Sequence, residues 1–413
     1  MNYKKIAAFG LAAALSATAV TGCSKKNDVR KIEGANEQVT NFIGVAEKVY
    51  SMKGITTEMK TDIDSSAKLG EESQSVKGSL NTKSVLDTDG NLAVSVELDA
   101  TAGDKTLKGK VAEISYIGNN LYLDLTGAYD VLMGTMGDKA SQMLTMLNLT
   151  EEDIKGVLCL SIPTGDLKSS DFSLDAIKDI LQPLTDDYAI ALSAVDDLKV
   201  DGKNYNLNVS ADSTKTILEK FADAFEKNGA TIIDNTVKYL EDKKIADKIP
   251  SAANAIVDEV YKAMGDLTGK DMSSAKPDMS KAGETVKKAI EELKTNKDKY
   301  VADVVKTLKN PEAALTEAES LGGSSIKIDQ NVNMNVKITD EDNGFSGTFD
   351  AKGLSGSTDS QSVSASANGT FKVTSGADKI SAPSNAKTIS EAFAKIYPII
   401  TMLSTAFGSG LSL

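Results

Sequence analysis

Apolar side chains recur along this chain with two different periods, and the switches between them mark its elements. Val39, Phe42, Ile43, Ala46, Val49 and Tyr50 fall at i, i+3, i+4, i+7, i+10 and i+11, one face of a helix, with Gly54 placed to end it. The period then drops to two. Ile55, Thr57, Met59, Thr61 and Ile63 alternate with polar partners, and Leu92, Val94, Val96 and Leu98 do so after the turn signal DTDGN at 87–91. Leu121, Leu123 and Leu125 continue the set in GNNLYLDL, so the stretch reads as a half-buried antiparallel meander.

Residues 128–185 read mostly as helix around a short apolar piece at 156–162, with Thr150 and Asp153 spaced as a capping pair. A second strand pair is expected over 188–211, turning at Asp201-Gly202. Its GKNYNLNV (202–209) resembles GNNLYLDL (118–125), and each runs straight into a helical segment, as a reused strand–turn–strand–helix unit would. From Thr214 to Leu321 the pattern is almost wholly helical, broken near Pro250, Pro277 and Pro311, with 268–284 as its linker. The most regular strand comes late: Ile326, Ile328, Val332, Met334, Val336 and Ile338 share one face, and Asn343-Gly344 turns the chain into a hairpin. Val363, Ala365, Phe371 and Val373 supply further strand. Thr388 and Glu391 form a capping box for a final helix disturbed by Pro398. The expected class is α+β: a curved antiparallel, half-barrel-like sheet covered by helices, with a long helical insertion.

The first thirty residues change the picture. Lys4-Lys5 is followed by an uncharged run from Ile6 to Val20. At about fifteen residues this run is too short to span a bilayer and the right length for a signal-peptide core. Val20-Thr21-Gly22-Cys23 resembles the lipobox of bacterial lipoprotein precursors. That resemblance implies a diacylglyceryl group on the Cys23 sulfur and cleavage before it; two acyl chains anchor where one holds only marginally. The boundaries that follow are 1–22 signal peptide, 23–33 lipidated tether, 34–213 helix, meander and covering helices, 214–321 helical block, and 322–413 final strands and helix. The tether carries Lys25, Lys26, Arg30 and Lys31 against Asp28, a balance that favours an anionic bilayer surface.

Composition narrows the chemistry. Without Lys4 and Lys5 the mature chain keeps 44 basic against 59 acidic side chains, a net of −15, a poor match for nucleic acid. There is no histidine, so Ser-His-Asp and Cys-His catalysis and His-ligated metal sites are excluded. Cys159 is the only cysteine besides Cys23, so the mature chain forms no internal disulfide; between Leu158 and Leu160 it reads as a core residue. Ser-x-x-Lys occurs at Ser65/Lys68, Ser273/Lys276 and Ser384/Lys387 without the companion motifs of penicillin-recognising enzymes. DTDGN has its glycine at the fourth rather than the sixth position of a calcium loop and lacks the closing glutamate, so a hairpin turn explains it better. Glu151-Glu152-Asp153 and Asp186-Asp187 read as helix-start and loop charges. Catalytic residues, metal ligands and cofactors are all expected to be none, and the chain is expected not to be an enzyme.

A lipid-anchored chain with an antiparallel meander backed by helices resembles the half-barrel lipoprotein carriers and the mycobacterial lipid-transfer lipoproteins (LolA-like and LppX/LprG-like). The lipobox, the strand GNNLYLDL with its helix, and ISAPSNAKTISEAF leading from strand to helix carry the resemblance. The helical block departs from it. The family implies an apolar cavity between sheet and helices for acyl chains, at the extracytoplasmic face of a cell membrane. On this reading Ile326, Ile328, Val332, Met334, Val336, Ile338 and the flexible Met143 line the cavity, with Met133, Met136 and Met146 near by in sequence. The other reading is a structural or protein-interaction lipoprotein of the envelope whose core is filled. An apolar face has the same periodicity in both.

Overall fold

The computed structural model describes residues 30–69, 72–102, 105–146, 149–172, 174–310, 327–329, 333–357 and 361–407. The lipobox-like Val20-Thr21-Gly22-Cys23, Ile326 and Val332 lie outside the described residues. Helix α1 (Glu37–Ala46) starts where Asn36 accepts the Val39 N–H at 2.9 Å, and it ends in a 3-10 turn before Gly54 turns the chain at φ +74°. Five strands follow: β1 (Ile55–Leu69), β2 (Glu72–Leu86), β3 (Leu92–Ala102), β4 (Lys105–Ile117) and β5 (Asn120–Asp124). Then come α2 (Thr126–Met136), α3 (Asp138–Met146), α4 (Glu151–Lys155), β6 (Cys159–Pro163) and α5 (Leu174–Leu192). The pair β7 (Leu198–Asp201) and β8 (Asn204–Val209) leads into α6 (Ala211–Asp242), α7 (Ile245–Thr268), α8 (Ser280–Thr295) and α9 (Lys297–Lys309). The chain closes with β9 (Lys327–Asp329), β10 (Asn333–Glu341), β11 (Gly344–Ser357), β12 (Gln361–Ser375), β13 (Lys387–Thr388) and α10 (Ile389–Phe407).

The class is α+β. The strands form one open sheet in the order β13-β6-β5-β4-β3-β2-β1-β12-β11-β10-β8-β7, with β9 on β11. The sheet is mixed, because β13 runs parallel to β6. Packing divides the chain into two units: 1–80, 173–242 and 289–377 in the first, 81–172, 243–288 and 378–413 in the second. The expected helical block therefore splits, with α6 and α9 belonging to the first unit and α7 to the second.

Two expectations are corrected. Residues 188–192 are the end of α5, not a strand: Tyr188, Ala189, Ala191 and Leu192 are all buried, a helical spacing that no two-residue alternation satisfies. Asp186 and Asp187 accordingly lie inside a helix rather than a loop. The two similar sequence units do build the same thing. Gly118 and Gly202 turn the chain at φ +59°, and β4-β5 runs into α2 as β7-β8 runs into α6.

In the first unit one sheet face and its helices make a filled core. Phe42, Ile43, Leu192, Leu207, Ile338 and Phe345 each retain less than 2 % exposure. The Phe42 and Tyr205 rings lie 5.8 Å apart, and Phe345 meets Phe371 edge-on at 6.4 Å. The Phe371 ring covers Gly347, opposite it on the neighbouring strand, so a side chain on Gly347 would collide with that ring. In the second unit α2 lies against β4, and the close approach requires Gly127, since an added Cβ would overlap the Lys110 carbonyl oxygen. Helices α7 and α10 pack on one another and on β6.

Candidate functional site

The late strand is central to the first unit's core. On β10, Met334, Val336 and Ile338 stand opposite Val209, Leu207 and Tyr205 of β8 on one side and Ala351, Phe349 and Gly347 of β11 on the other. Met334 is half-buried, Val336 is 5 % exposed and Ile338 is 1 % exposed. A side chain lining a volume wide enough for an acyl chain leaves area open to a water-sized molecule, and Ile338 leaves almost none. Ile328 pairs as part of β9 with Gly356, and Met143 lies in α3; the described residues carry no side-chain surroundings for either.

The second unit presents the opposite case. Register places Leu92, Tyr116, Leu121 and Ile162 side by side across β3, β4, β5 and β6 on one face. A second row, Val94, Ile114, Leu123 and Leu160, lies beside it on the same face. None of these side chains is buried; Leu92 is 43 % and Ile114 47 % exposed. Ile114 has a strand on each side, so its exposure is on the face of the sheet, where the described residues leave it about half open. The reverse face is the polar one, with Ser115, Ser95, Glu113 and Asp124, yet Ser115 (3 %) and Cys159 (1 %) on it are buried. Burial is therefore not confined to the apolar face, as it is in the usual half-buried sheet with apolar side in and polar side out.

The Tyr116 ring meets the Phe172 ring at 6.2 Å, and the Tyr116 hydroxyl donates to Thr164 Oγ1 at 3.2 Å. Asp171, next in sequence to Phe172, accepts from Lys248 Nζ on both oxygens at 2.8 and 2.7 Å and from the Lys168 N–H at 3.0 Å. Burial alone would raise the Asp171 pKa, but Lys248, the Lys168 N–H and nearby Lys243 outweigh it and hold the group below the usual carboxylate range. Lys244 adopts φ +51°, the single non-glycine residue with positive φ among those described.

The remaining candidates have structural partners. Asp87 of DTDGN accepts the Asp89 and Asn91 N–H groups on Oδ1 and the Asn91 amide and Ile380 N–H on Oδ2, all at 2.9–3.0 Å. Both oxygens are thereby saturated by protein donors. Asn91 Oδ1 in turn accepts from the Gly118 N–H and Ser169 Oγ, so one turn locks two others. Thr150 and Asp153 form the expected capping box. Lys276 pairs with Asp258 at 2.7 Å, Ser65 lies in β1, and Lys387 pairs with Leu160 as part of β13. Burial pushes the Cys159 thiol up to about 11, with Asp124 and Glu113 adding to the shift, which keeps it a poor nucleophile. No cluster of three or more metal-ligating side chains occurs among the described residues.

Two features escaped sequence reasoning. Arg30, the first described residue, is held by Asp186 (2.7 Å from Nη1) and Glu47 (2.6 Å from Nη2), and Ile32 beside it is buried, so residues 30–32 are pinned within the first unit. Asp187 is fully buried; it accepts from Asn228 Nδ2 at 2.6 Å, while its Oδ2 has no protein partner. Burial raises its pKa to about 6 against the Asn228 hydrogen bond, with Asp186 adding to the rise.

No family model, curated protein or solved structure matches the chain. Among the described residues no helix is long and apolar enough to cross a membrane.

Proposed function

We propose that the chain is a membrane-anchored, extracytoplasmic lipoprotein, without enzymatic activity, that binds a lipid or other amphiphile. The signal-like run ending in Val20-Thr21-Gly22-Cys23 supports the anchor. The observation that carries the binding role is the partly open apolar sheet face of the second unit, with Leu92 43 % and Ile114 47 % exposed, the latter on a strand flanked by two others. Isolated apolar residues at a surface are ordinary, whereas adjacent exposed ones set in an apolar row support an interaction role.

Two experiments test the reading. Cells labelled with radioactive palmitate should yield an acylated chain in the membrane fraction, and Cys23→Ala should abolish both label and membrane recovery. An unlabelled wild-type chain contradicts the anchor. Native mass spectrometry of the soluble form 24–413, followed by solvent extraction, should return a lipid-sized mass. A second reading, an interaction lipoprotein with a filled core, is favoured by the packing around Ile338 in the first unit. A clean apo mass that does not change after incubation with membrane lipids selects it.

A further inference from the structure

The first described residues run as a strap along one stripe of α5. Arg30, Gly34 and Asn36 meet Asp186 and Ile190 of that helix and Ser193 just beyond it, positions that stand at i, i+4 and i+7. The Arg30 guanidinium forks onto both Asp186 oxygens, Nη1 to Oδ2 at 2.7 Å and Nη2 to Oδ1, and Nη2 also donates to Glu47 Oε1 at 2.6 Å. Ile32 is 4 % exposed. Gly34 turns the chain at φ +87° so near Ile190 that a Cβ there would lie 3.5 Å from its side chain, and the Asn36 N–H donates to Ser193 Oγ at 2.9 Å. A single exposed ion pair adds little to stability. Here a two-pronged fork, a second carboxylate, a buried isoleucine and a backbone hydrogen bond all act on residues 30–36, so the segment belongs to the fold of the first unit.

The strap matters because of what precedes it. Cys23 and Arg30 are seven residues apart, and a chain of that length spans at most about 25 Å in any conformation. Without the strap the first fixed point would be Asn36, the cap of α1, thirteen residues from Cys23 and up to about 47 Å away. Charge does not set this distance. The mature chain is net −15, yet its repulsion from an anionic bilayer decays with a Debye length of about 8 Å and is largely spent at about three times that separation.

We propose that residues 30–36 are a strap that shortens the membrane tether and holds the Arg30 end of the first unit within about 25 Å of the bilayer that carries Cys23. The proposal rests on the anchor reading at Cys23 and adds a limit on how far that end stands from its own membrane.

Two readouts test it. Trypsin has sites at Lys25 and Lys26 before the strap and at Arg30 and Lys31 within it. Cleavage after Arg30 needs its side chain free of Asp186 and Glu47, and cleavage after Lys31 needs Ile32 out of the core. In the palmitate-labelled full chain in mild detergent, cutting after Arg30 or Lys31 should be at least tenfold slower than after Lys26. Asp186→Asn/Glu47→Gln should remove that protection. Arg30→Lys, which keeps the charge and a tryptic site but not the fork, should reduce it. Circular dichroism melts show whether each variant is folded. For reach, a donor dye on Lys53→Cys, in the first unit, is read by energy transfer to acceptors on the headgroups of vesicles holding the lipidated chain. Cys159 is buried and stays unlabelled. Arg30→Ser/Ile32→Ser should lower the transfer, as a Gly-Ser insertion after Ser24 does. A wild type cut after Arg30 as fast as after Lys26 overturns the strap and leaves the anchor standing. Transfer unchanged by Arg30→Ser/Ile32→Ser while the insertion lowers it overturns the limit on reach. A full chain that takes up no palmitate overturns the anchor and the proposal with it.

Discussion

Ile338 in the first unit and Ile114 in the second can be compared directly. Each is an isoleucine on a strand with neighbours on both sides, in an alternating apolar row. Ile338 is 1 % exposed and Ile114 is 47 % exposed. The difference extends to the units around them. Of the fully buried large aliphatic and aromatic side chains among the described residues, all lie in the first unit. Nine of the twelve exposed large apolar side chains among the described residues lie in the second, Leu132, Met146, Phe393 and Tyr397 among them, so exposed apolar surface is concentrated there. The comparison teaches that an apolar face specifies a need for burial and not the group that meets it. In the first unit Phe42 of α1 and Leu207 of β8 meet it from within the chain.

The comparison breaks first at its most packed point. Phe42→Ala should destabilise the chain by about 3–5 kcal/mol, read as a denaturation midpoint shift at constant m-value, because a cavity opens in a core that cannot collapse. A loss under about 1 kcal/mol would mean that the first unit is not filled. The second unit depends instead on backbone approach: Gly127→Ala should cost about 1–3 kcal/mol through overlap with the Lys110 carbonyl, measured by thermal unfolding.

Asp187 sharpens the contrast through pH. Its folded pKa of about 6 lies above the unfolded carboxylate value, so its contribution is fully present below about pH 4 and is lost as pH rises through 6. Asp187→Asn should therefore raise stability at pH 8 by on the order of 2 kcal/mol and flatten the pH dependence between 4 and 7. A steeper dependence in the variant would refute the assignment. The smallest effect belongs to the open face: Ile114→Gln should change stability by no more than about 0.5 kcal/mol, since it removes little buried contact. A loss above about 2 kcal/mol would show that the face is covered in solution.

The strand and helix periods made most of the fold legible. DTDGN, Asp201-Gly202 and Asn343-Gly344 each turn a hairpin, and Thr150/Asp153 caps its helix. The end of α5 was misread because Tyr188, Ile190 and Leu192 alternate with alanines, which are small enough to be buried in a helix as well. The strands β2 and β4 escaped notice because their Ser, Lys and Thr content masks the alternation. The candidate site was legible as residues but not as a place. Ile326–Ile338 has the cleaner apolar alternation, and its Val336 and Ile338 are buried, while in the shorter alternations Leu92 is exposed and Leu121 half-buried. Covering partners come from distant segments, and periodicity along one strand carries no information about them.

The measurement that bears most directly on this account is hydrogen–deuterium exchange of soluble 24–413 with and without lysophosphatidylglycerol. The account predicts slowed exchange across 92–124, with 333–341 unchanged. Protection confined to 333–341, or protection nowhere while the lipid is bound, would contradict it.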